Sequence, residues 1–240
     1  MQDGVPGGSE ILQRQEHLHL LLARGVPRFV QHQQHLQIIE AALFALSLAT
    51  FGCGSPKTAS ALPPEDGVTA TGACNTIFGV PSPDPGFHVG ECNAIDYPTN
   101  PPCAGHHYAV WADYKEYPET IAPGYWVHSI EHGGTAFLYG CDPASDPGCS
   151  ELVVDMRTYM TGLPQDPDCT PPTRNRTLML PYPTLGAPFA AVVWGHYLRA
   201  DCFDSSLVTA LIETYYGNNY EDTCAAGFDP TDAAPNCGTP

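Results

Sequence analysis

The stretch Trp126-Val127-His128-Ser129-Ile130-Glu131-His132-Gly133-Gly134 runs directly into the apolar segment Thr135-Ala136-Phe137-Leu138-Tyr139, and it restricts the fold more than any other part of the chain. In a strand each residue rises about 3.3 Å, so His128 and His132 would share a face roughly 13 Å apart. In a helix, residues i and i+4 are neighbours at about 6 Å, and His128, Glu131 and His132 converge. Gly133 suits the left-handed residue that ends such a turn. A shared site therefore requires a short helix or tight bend here, then a strand from Thr135.

Composition excludes some partners. Nine basic residues face 26 acidic ones. Such a chain has no basic patch for nucleic acid, and an anionic membrane surface repels it. The ten cysteines include no CxxC pair, which removes zinc-ribbon and thioredoxin-type motifs. Disulfides formed in an oxidising compartment account for them better. With 23 glycines and 25 prolines the chain is rich in loops, which disulfides would help to hold.

Residues 1–53 read as a leader. A Gln- and His-rich tract precedes the apolar run Ala41 to Phe51, which is too short for a membrane-spanning helix but suits the core of a secretory signal. Gly52-Cys53-Gly54-Ser55 resembles a bacterial lipoprotein signal, with Cys53 as the lipidated new N-terminus. Glu40 sits where a basic residue is expected, and a start codon assigned too far upstream explains it. Residues 54–72 read as a flexible tether, 73–225 as a globular domain and 226–240 as an irregular tail. The membrane contact expected is the lipid anchor, and the location the cell envelope, periplasmic or surface.

Within the domain, Cys141 and Cys149 bracket a turn-rich loop suited to a local disulfide. Ser150 can cap a helix from Glu151 to about Thr161. Thr177 to Leu180 and Phe189 to Trp194 read as strands. Asp204 or Ser205 caps a last helix, which Gly217 closes. The fold class predicted is α+β: one compact domain with a small mixed or antiparallel sheet and two or three helices, loop-rich and disulfide-stapled. Cys202 is expected to pair with a tail cysteine, most simply Cys224. With Cys53 set aside, nine cysteines remain, so at least one lacks an intramolecular partner.

Pro101-Pro102-x-x-Gly105-x-His107-Tyr108, Val127-His128-Ser129-Ile130-Glu131-His132-Gly133-Gly134 and Val193-Trp194-Gly195 together resemble the bacterial family catalogued as domain of unknown function 3105. The resemblance spans roughly Phe87 to Asp222. It implies an exported or membrane-anchored protein and carries no activity. The family pattern has Thr-Ser at the positions of Cys103 and Ala104, and Pro at His106. Cys103, lying outside that pattern, is the candidate for the odd thiol.

The chemistry expected is a metal centre of His107, His128, His132 and Glu131, with His106, His88, His196 and Cys103 as possible further members. Imidazole suits zinc, copper, iron or nickel, and a site without free thiolates favours copper or zinc. Glu131 either ligates or orients a histidine. His128-x-x-Glu131-His132 also fits the H-x-x-E-H pattern of inverted zinc peptidases, which use a longer helix. Three functions stay open: an envelope metal-binding protein, a non-catalytic lipoprotein interaction module with a structural His/Glu network, and a metal-dependent hydrolase.

Overall fold

The structure is a computed structural model that describes residues 62, 68–71, 74–80, 85–91, 93–219 and 221–232. The elements run β1 (Val68–Thr71), β2 (Cys74–Gly79), β3 (His88–Val89), β4 (His107–Tyr108), α1 (Pro123–Glu131), β5 (Thr135–Tyr139), α2 (Pro147–Gly162), β6 (Thr177–Pro181), β7 (Phe189–Val193), β8 (His196–Ala200) and α3 (Ser205–Tyr215). Six strands form one sheet in the order β1-β2-β8-β7-β5-β6, and β3 and β4 form a second. β5 and β6 pair in parallel around α2, whereas the other pairs of the large sheet are antiparallel. The class is α+β and the sheet is mixed.

β5 shows why its sequence is a continuous apolar run. All five of its residues are buried. Phe137 and Tyr139 face a core shared with Leu152, Val153 and Met156 of α2 and Leu207, Val208 and Leu211 of α3. Ala136 and Leu138 face the opposite core, with Trp126, Val127 and Ile130 of α1. A strand covered on both faces loses the alternation of polar and apolar residues. Trp126 is wholly buried in the second core and anchors α1, and so the histidines, to the sheet.

The sheet is larger than its sequence suggests. β8 follows β7 through the two residues Trp194 and Gly195, with Val193 paired to His196 and Gly195 at φ +77°. A positive φ suits a tight hairpin turn. β8 buries Leu198 and Ala200 and leaves His196, Tyr197 and Arg199 half-buried, an alternation too short to stand out in the sequence. β1 lies inside the stretch expected to be a tether, yet its residues pair with β2. α2 starts before Ser150: Asp146 caps it by accepting from Gly148 N, with Pro147 in its first turn.

Cys141 pairs with Cys149 as expected. Cys202 pairs with Cys74 rather than Cys224, and Cys224 pairs with Cys169. The cause is the sheet: β2 lies beside β8 with Thr76 opposite Ala200, which brings the Cα atoms of Cys74 and Cys202 to 5.2 Å. Cys103 is the free cysteine among the described residues, and it is buried. The leader, Cys53, Cys92 and Cys237 lie outside the described residues.

Candidate metal centre

The C-terminal end of α1 carries the site. Pro123 sits in the first turn, and Gly124 allows close packing, because a Cβ there would meet the Tyr108 ring at 2.6 Å. The helix ends in a Schellman motif: Gly133 N donates to Ile130 O and Gly134 N to Ser129 O, with Gly133 at φ +83°. The turn expected from the spacing therefore forms, and His128 and His132 meet with Nε2 atoms 3.0 Å apart.

Two further histidines arrive from the small sheet. β3 and β4 run parallel with His88 opposite His107. Gly86 makes that approach possible, since a Cβ there would fall 2.1 Å from Gly105 O. The His88 ring centroid lies 4.9 Å from that of His107 and 4.7 Å from that of His128. Ligand atoms of His88, His107, His128 and Glu131 all lie within 4.8 Å of one another. An ion with bonds of about 2.0–2.1 Å spaces tetrahedral ligands about 3.3 Å apart. The residues thus fit one small cation after modest adjustment.

Backbone carbonyls orient the rings. His107 Nδ1 lies 2.9 Å from Gly105 O, and His128 Nδ1 lies 2.7 Å from Tyr108 O. A carbonyl only accepts, so each ring donates from Nδ1. In the neutral rings Nε2 then keeps its lone pair and is turned towards the other ligands, as metal-binding histidines are commonly oriented. His107 Nε2 lies 2.7 Å from Glu131 Oε2 without the alignment of a hydrogen bond.

Burial sets the protonation. It pushes the His128 imidazole down to about 4, helped by the neighbouring His132 and His107. It also lowers His132, against the pull of Glu221 and Glu131. For His107 burial acts in the same direction, but the Glu131 carboxylate and Gly105 carbonyl prevail and the value rises. His128 is therefore neutral and ready to ligate at ordinary pH.

Other expected members stay apart. His106 is exposed, with its ring 5.6 Å from that of Phe87. His196 stacks on Tyr215 at 4.0 Å and on Phe78 at 5.7 Å, away from the histidine cluster. Cys103 lies near Thr99 Oγ1, 3.7 Å from it, and outside the convergent groups. Trp111 and Trp194 flank the site: the Trp111 centroid is 4.6 Å from that of His132, and the Trp194 centroid is 5.7 Å from that of His107.

Glu221 was not legible in the sequence, because it lies beyond α3 in a stretch without periodicity. Its Oε2 is 3.3 Å from His132 Nε2. Its segment is tied to α1: Gly217 N donates to Gly133 O, Asn219 Nδ2 donates to Glu131 O, and Asp222 pairs with buried Arg176. Arg176 also reaches His132 O at 3.3 Å.

The sequence model described as Protein of unknown function (DUF3105) matches residues 88–227. The chain belongs to this family. The DUF3105 match begins at His88 and takes in His107, His128, Glu131, His132 and Glu221 as well. No curated protein and no solved structure matches the chain.

Proposed function

We propose that this protein binds one transition-metal ion, copper or zinc, in the cell envelope, where a lipid on Cys53 tethers it. The observation that carries the reading is the convergence of His88, His107, His128 and Glu131 within 4.8 Å, with two of the rings fixed through Nδ1 so that Nε2 faces inward. Three nitrogens and a carboxylate oxygen suit a borderline metal, and the sulfurs near the chain's other polar clusters are tied up in disulfides. A cation also offsets the cost of burying the Glu131 carboxylate. The disulfides support export to an oxidising compartment, and the apolar run ending at Cys53 supports acylation.

Thermal unfolding tests the metal. Zinc at a hundred times its Kd should stabilise the wild type by about 2.7 kcal/mol. His128→Ala should lose that gain. Intact mass of the native protein tests the anchor: a lipidated chain beginning at Cys53 supports it, and a chain retaining residues 1–52 contradicts it. A second reading takes the site as a purely structural network. The 2.7 Å approach of His107 to Glu131 favours it, because that pair can neutralise the carboxylate without an ion. In that case the alanine variants lose the same stability with and without zinc.

A further inference from the structure

Glu221 gives the centre a second set of ligands. His128, His132 and Glu221 also offer atoms within 4.8 Å of one another. Both sets contain His128, and that residue has one nitrogen to give. Its Nδ1 is committed to Tyr108 O, and Nε2 has a single lone pair. An ion bound there uses it fully, so the two sets cannot be filled together. Two positions each about 2.0–2.1 Å from the same nitrogen are at most about 4 Å apart.

We propose that the centre has two positions for one ion: an inner set of His88, His107, His128 and Glu131, and an outer set of His128, His132 and Glu221 from which the ion passes to an acceptor. This rests on the metal reading above. The outer set has three ligands against four, which leaves a position open to an incoming ligand, as in exchangeable three-ligand zinc sites. The Glu221 side chain is 41 % exposed, whereas that of Glu131 is 3 % exposed. The segment bearing Glu221 is held in place by Asn219 on Glu131 O and by Asp222 on Arg176, so the carboxylate is presented and not merely nearby.

The transfer is a ligand exchange. Bonds from the ion to His88, His107 and Glu131 break as bonds to His132 and Glu221 form, while the His128 bond persists. No electron moves. His132 joins the ion through Nε2 as the neutral ring whose proton is on Nδ1, so no net proton is released. His88 is exposed as well, but its departure leaves the ion on inner ligands that are all buried.

The test loads the full chain with zinc and mixes it with excess chromogenic chelator in a stopped-flow instrument. The wild type should hold one zinc per chain. Glu221→Gln should release zinc about tenfold more slowly, the effect of roughly 1.4 kcal/mol on a barrier. His107→Ala, in the inner set, should release it faster. Release from Glu221→Gln as fast as from wild type, or two zinc ions per chain, would overturn the hand-off while leaving the metal site standing. Failure of zinc to bind the wild type would overturn the metal reading itself.

Discussion

Glu131 Oε2 lies 2.7 Å from His107 Nε2, with both side chains almost wholly buried. The contact joins the end of α1 to β4 and raises the His107 pKa against the effect of burial. Replacing Glu131 with Gln should bring the His107 pKa down below the ordinary histidine value, as an NMR titration of the metal-free protein would show. The same change takes the charged oxygen ligand from the inner set and should weaken zinc binding at least about 10-fold.

The histidines make metal-free stability depend on pH in two opposing ways. His128 and His132 are lowered in the fold, so their contribution is present above the unfolded value of about 6.5 and is lost as pH falls. For His128 the loss runs down to about 4 and amounts to at most about 3 kcal/mol. His107 is raised, so its contribution is complete below about 6.5 and fades as pH rises through its folded value. Denaturant unfolding should therefore show this histidine term peaking near pH 6.5.

Gly133 is required twice, by its φ of +83° and by space, since a Cβ would lie 2.8 Å from Arg176 Nη1 and 2.9 Å from Gly217 Cα. Gly133→Ala should cost about 1–3 kcal/mol. Its effect should reach the Glu221 segment, seen as faster amide exchange at Gly217, whose N–H bonds Gly133 O.

How much could be read from the sequence follows the range of the interactions. α1, its glycine stop and β5 are local, and the i, i+4 spacing of His128 and His132 with the following apolar run specifies them. α3 is likewise marked by Asp204, whose carboxylate accepts from Ser206 and Leu207 N–H. The meeting of His88 with His107 depends instead on a two-residue parallel pairing made possible by Gly86 and Gly105. The Cys74–Cys202 bridge depends on β2 lying beside β8. Glu221 reaches His132 only because Asp222 and Asn219 anchor its segment. Such long-range pairings leave no periodic trace in the chain.

The bridges should differ in worth. Cys74–Cys202 spans 128 residues and Cys141–Cys149 spans 8. By loop-closure entropy, removing the first pair should cost roughly 2 kcal/mol more than removing the second. Denaturant midpoints of the two double-alanine variants would show the difference.

Burial pushes the Cys103 thiol up to about 12, and thiolate is the reactive form. Cys103 should resist alkylation in the folded protein and react once it is denatured without reductant. Cys141 should stay unmodified in both states. Rapid labelling of Cys103 in the native protein would contradict its burial.

The account stands most directly on what surrounds a bound ion. X-ray absorption at the zinc edge, after equilibrium dialysis of the full chain against zinc, should show one ion per chain with nitrogen and oxygen neighbours at about 2.0–2.1 Å and no sulfur. A chain that retains no zinc, or a spectrum with sulfur neighbours at about 2.3 Å, would contradict it.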